Sequence, residues 1–93
     1  MLYYVNYDLK SPASNHLDFM QCLKECGTDR IQCLSNSWII FDDTDQENTM
    51  YNKLREKLDD SDALFISKCK FDDVAGWVPT SVIDFLKKYN DDK

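Results

Sequence analysis

Leu2-Tyr3-Tyr4-Val5-Asn6-Tyr7-Asp8-Leu9 constrains this chain more than any other stretch. Aromatic and branched residues fill nearly every position, and a strand that is apolar on both alternating sets is one covered on both faces. The stretch reads as the central strand of a small sheet. Asp8 is then delivered to the rim where the strand stops.

The remaining elements follow in order. Lys10-Ser11-Pro12-Ala13-Ser14 breaks the strand, and Ser14 or Asn15 is placed to cap a helix running to about Cys26. Leu17, Met20 and Leu23, with Phe19 beside them, supply its buried face, and Gly27 stands where a left-handed C-cap is wanted. Arg30–Leu34 and Trp38–Phe41 read as a hairpin joined by the polar turn Ser35-Asn36-Ser37. Thr44-Asp45-Gln46-Glu47 has the form of a capping box, so the cluster Asp42-Asp43-Thr44-Asp45 is better explained as a helix start than as a calcium loop. The second helix spans about Asp45 to Leu58, with Met50, Tyr51, Leu54 and Leu58 on one face. Asp59-Asp60-Ser61-Asp62 is a loop, Ala63–Cys69 a fourth strand, and Val74–Pro79 a turn presenting Trp77. Thr80 then caps a terminal helix through about Tyr89, with Val82, Ile83, Leu86 and Tyr89 inward.

The order strand, helix, strand, strand, helix, strand, helix predicts an α+β chain. Its core is a ferredoxin-like βαββαβ unit with an antiparallel sheet and an extra C-terminal helix. Residues 1–89 form one domain and residues 90–93 a polar tail. Two helices on one face leave the other face open unless the terminal helix, a second copy or both cover it, so a homodimer is expected. Trp38 and Trp77 are expected in core or dimer packing rather than as stacking platforms for bases.

A net charge of −6 disfavours a wide nucleic-acid-binding face, because phosphate backbones are attracted by basic surfaces. No basic, apolar leader precedes the first strand, and the longest apolar run is far short of a membrane span, so a cytoplasmic protein without membrane contact is expected. In that compartment Cys22, Cys26, Cys33 and Cys69 should be free thiols packed as small hydrophobes. Cys22 and Cys26 lie four apart on a helix, a spacing wider than the usual structural-zinc pair.

Three places resemble one known family: the strand end Val5-Asn6-Tyr7-Asp8-Leu9, the strand start Ser37-Trp38, and Ala75-Gly76-Trp77-Val78-Pro79. In this order they look like the CRISPR-associated adaptation proteins, small ferredoxin-like dimers described as metal-dependent endonucleases. They resemble more closely the stand-alone, SinR-like relatives of that family. The resemblance implies a dimer in which Asp8 faces its symmetry mate, the position proposed in the family to hold Mg²⁺.

These readings leave distinct expectations for function. The favoured one is a non-catalytic, nucleic-acid-associated or interaction module. A second is a Mg²⁺-dependent endonuclease acting on RNA or DNA through Asp8 of both subunits, since two carboxylates could hold a metal for phosphodiester hydrolysis. A third is an acidic inhibitor or DNA mimic that meets a basic protein partner through Asp42, Asp43, Asp45, Asp59, Asp60 and Asp62. A toxin-like ribonuclease would need His16 or Tyr7 as its acid–base group.

Overall fold

In the computed structural model, residues 1–10, 13–43 and 47–90 are described. The capping side chains of Ser14 and Asn15, the Ser11-Pro12 break, the box at residues 44–47 and the tail beyond Asn90 fall outside that description. The strands are β1 (Leu2–Asp8), β2 (Asp29–Leu34), β3 (Ser37–Phe41) and β4 (Ala63–Cys69); the helices are α1 (Ala13–Lys24), α2 (Glu47–Arg55) and α3 (Thr80–Lys88). All neighbours in the sheet are antiparallel, in the order β2-β3-β1-β4. The chain is therefore α+β with a four-stranded antiparallel sheet and three described helices, an arrangement compatible with a ferredoxin-like fold.

The first strand is central and both of its faces are covered. Tyr3, Val5 and Tyr7 point into a cluster completed by Phe19, Leu23 and Cys26 from the α1 region, Ile40 from β3, and Met50 and Leu54 from α2. Leu2 and Tyr4 point the other way, where Ile39 meets Val82, Phe85 and Leu86 of α3. The strand alternation thus feeds two hydrophobic layers. The terminal helix is the cover for the second face, at the end of the sheet marked by Leu2, Ile39 and Phe41. No helix among the described residues is long and apolar enough to cross a membrane.

Two helical faces differ from expectation. Leu17 is 73% exposed, because α1 turns Phe19 and Leu23 to the sheet and Leu17 lies on the far side of that stripe. Tyr51 is also exposed, at 41%, one position round α2 from the buried Met50–Leu54 pair. At the start of α3 the residue in the capping position is Pro79, with no side-chain cap, so Thr80 is the first helical residue rather than the cap. Proline's fixed φ already suits the entry, and its carbonyl accepts from Val82 N at 3.0 Å.

Gly27 behaves as expected, with φ of 68° in the left-handed region. It ends α1 and passes the chain to β2, where Thr28 N donates to Phe41 O at 2.8 Å. Arg30 completes this corner by donating from Nε to Cys26 O at 3.1 Å and from Nη2 to Gly27 O at 3.4 Å. A cation at the end of a helix also suits its dipole.

The C-terminal end of α3 is fastened to the start of β2. Tyr89 stacks on Phe41 with ring centroids 4.0 Å apart, and its hydroxyl donates to Asp29 Oδ2 at 2.5 Å. Lys88 Nζ stands 3.7 Å from the same oxygen. The Tyr89 hydroxyl is the main cause holding the Asp29 carboxyl below its ordinary range, followed by the Arg30 N–H. A depressed folded pKa contributes stability above the unfolded value of about 3.9, lost as pH falls through the folded value. Tyr89→Phe should therefore lower the melting temperature more at pH 7 than at pH 2.5. Equal losses at both values in paired thermal melts would show that the hydroxyl does not act through Asp29.

Candidate functional site

Asp8 stands at the rim as the sequence indicates. It closes β1, pairs in register with Ala63 at the start of β4, and is exposed. Its carboxylate lies 3.6 Å from Lys10 Nζ, in a pair whose side chains are 58% and 67% exposed. An ion pair so open to water contributes about 0–1 kcal/mol.

A second carboxylate sits beside it. Because β4 runs antiparallel to β1, Asp62 immediately precedes the residue opposite Asp8. Its Oδ1 accepts from Lys10 N at 2.7 Å and its Oδ2 from Asp59 N at 3.1 Å. Asp59 in turn holds Ser61 through both its N–H and its hydroxyl. Asp62 is thus the residue that ties the loop after β1 to the loop before β4. Among the described residues no group of three or more His, Cys, Asp or Glu side chains could hold a metal. Within one chain the donors do not fit a Mg²⁺ site: Asp8 faces an ammonium, and both Asp62 oxygens are engaged by backbone N–H groups.

Tyr7 is on the opposite side of the strand from Asp8, inside the layer under α1. Its hydroxyl accepts from Trp38 Nε1 at 3.1 Å, approaches Met20 Sδ at 3.9 Å, and its ring meets Phe19 edge-on. Burial is the larger influence on this phenol and pushes its pKa up, against the Trp38 hydrogen bond. Tyr7 and Trp38 are core groups joined to each other, and the acid–base role considered for Tyr7 is not served there. His16 lies in the first turn of α1.

All four thiols are free. Burial pushes Cys26 up to about 11, and burial also raises Cys33 and Cys69, so these three are protonated and weakly nucleophilic at neutral pH. Cys26 Sγ donates to Cys22 O at 3.3 Å and Cys22 Sγ to Lys53 O at 3.7 Å, so the two thiols of the α1 region are bound to backbone.

The aspartates expected to meet a basic partner are divided among the described residues. Asp42 follows β3 beside Met1, while Asp59, Asp60 and Asp62 cluster at the Asp8 end. A seven-residue strand separates the two groups by roughly 20 Å. Asp60 also meets Arg55 at 3.4 Å.

A larger shaped feature of the surface lies elsewhere. A groove of about 870 Å³ runs over the α3 face of the sheet. Tyr4, Cys33 and Ile39 floor it, Ile83 of α3 lines one side, and the connection between β4 and α3 lines the other. Trp77 belongs to that connection and is fully exposed (101%), so of the two places expected for it, core or dimer packing, the core of the single chain is ruled out. The expectation rests on average behaviour, since amphipathic aromatics are common at interfaces.

No family model, curated protein or solved structure matches this chain.

Proposed function

We propose that the chain is a non-catalytic interaction module that works as a ferredoxin-like homodimer, related to the CRISPR adaptation-type proteins it resembles. The observation that carries this reading is the pairing of an apolar groove with a fully exposed Trp77 at its edge. Exposed aromatics beside concave apolar surface are the usual anchors of protein interfaces. Asp8, by contrast, offers a single solvated carboxylate beside Lys10. The net charge of −6 supports a protein partner over a nucleic acid.

The endonuclease reading keeps one supporting observation. Strand alternation puts Asp8 on the same side of the sheet as Tyr4 and the groove. A second copy meeting that side would bring a second Asp8 toward the first, and the close carboxylates would favour a divalent ion or a proton.

Purified protein incubated with Mg²⁺ or Mn²⁺ and end-labelled RNA or DNA should show no cleavage beyond that of Asp8→Asn. The same substitution should move the melting temperature by only a few degrees, as suits an exposed pair worth about 0–1 kcal/mol. Metal-dependent cleavage that disappears with Asp8→Asn would replace the module by the nuclease.

A further inference from the structure

The connection between β4 and α3 is held by few backbone hydrogen bonds among the described residues. After the short 3-10 turn Phe71–Asp73 the backbone is extended at Val74 (φ −116°, ψ 150°) and again at Pro79 (φ −56°, ψ 149°). Among the described residues, the N–H and C=O groups from Val74 to Val78 make no backbone hydrogen bond. Gly76 stands off the body of the protein: a side chain there would find only Val78, at 4.0 Å. Within this stretch Trp77 is in solvent, and the same stretch walls the groove.

A projecting aromatic and an apolar recess are thus side by side on one surface. One surface that carries both halves of a contact satisfies them together when two copies meet about a two-fold axis, because each residue i meeting j is matched by j meeting i. We propose that two copies of this chain pair through this face, each laying its 74–78 segment along the other and seating Trp77 in the other's groove. This rests on the reading of the groove as an interaction surface and names its occupant.

The area available agrees with a second copy. Trp77 is joined on this side by Phe65, 69% exposed on the same face of β4, and by Leu34 and Val74, each exposed by about half. Large aromatics bury about 150–250 Å² apiece, so exchange from two copies removes on the order of 1,000 Å² from water. That reaches the threshold of a specific interface, and the extended backbone adds hydrogen-bonding groups that area alone does not count. Charge opposes this occupant at long range but tells it apart from a basic partner. Each chain carries −6, so two copies repel at long range, and association driven by apolar contact should tighten as salt screens that repulsion. A basic partner held by charge would weaken instead.

The test is sedimentation velocity on the full chain across a dilution series up to about 100 μM, at low and high salt, with Trp77→Ala and Leu34→Asp alongside. The wild type is expected to be a dimer that tightens with salt. Trp77→Ala should raise the dissociation constant by about 30-fold, the scale of a central aromatic anchor. Its circular dichroism should be unchanged, because Trp77 touches nothing that folds the single chain. Leu34→Asp attacks the groove's other rim and should do the same, so the result does not depend on one variant. A dimer that keeps its affinity in both variants, or one that weakens as salt rises, overturns this interface and leaves the homodimer reading with another seam. A wild-type monomer throughout the series overturns both.

Discussion

Gly27→Ala should lower the melting temperature by roughly 10–25 °C, more than any surface substitution in the chain. Two costs meet at this position. The backbone is left-handed, with φ of 68°, a conformation that costs an L-residue about 1–2 kcal/mol. The added Cβ would also stand 2.5 Å from Ile40 Cγ2 and 2.7 Å from the carbonyl oxygen of Phe41. The isoleucine is fully buried and the carbonyl accepts from Thr28 N, so neither can retreat freely. Relieving such overlap in a packed site costs a further 1–3 kcal/mol or so. Together these come to about 2–5 kcal/mol, a large share of the 5–15 kcal/mol typical of a domain. Gly76→Ala is the control, because a Cβ there enters open space and no positive φ is involved. A Gly27→Ala protein melting within a few degrees of wild type would mean that the corner between α1 and β2 relaxes, and the packing argument would fail.

Gly27 was legible in the sequence because its signal is local: a glycine directly after a periodic helical run. The central strand was legible for a related reason, since apolar residues on both alternating sets require cover on both faces. Its pairing with β3 and β4 follows from the same demand. The helical faces were harder. In α1 two stripes compete, Leu17-Met20-Leu23 and Phe19-Leu23-Cys26, and spacing alone scores them alike. The chain chooses the second because Phe19 meets the Tyr7 ring edge-on at 5.0 Å, a contact between residues of different elements. For Trp77 core and interface stayed open together, because nothing in its neighbours tells a buried loop aromatic from one held in solvent. Asp62 could have been found. A strand starting at Ala63 and running antiparallel to β1 must begin where β1 ends, so the aspartate before it has to arrive beside Asp8.

The choice between those two stripes yields the second large effect. Phe19→Ala should cost about 3–5 kcal/mol, the range for truncating a buried aromatic ring. Phe19 is fully buried between α1 and the sheet, in the cluster that also holds Tyr3, Val5 and Leu54. Its loss would empty a space walled by both helices and the central strand, and would remove the edge-on contact with Tyr7, itself worth about 0.5–1.5 kcal/mol. Collapse into that space is hindered on the strand side, where the Tyr7 hydroxyl is held by Trp38 Nε1 at 3.1 Å. Leu17→Ala removes an apolar side chain two residues away on the same helix, yet that side chain is 73% in water. Surface changes of this kind usually stay within about 0.5 kcal/mol. Chemical denaturation of the two variants at equal slope separates the stripes directly. A midpoint that falls sharply for Phe19→Ala and barely moves for Leu17→Ala supports the packing seen here; the reverse order would mean that α1 is rotated on the sheet.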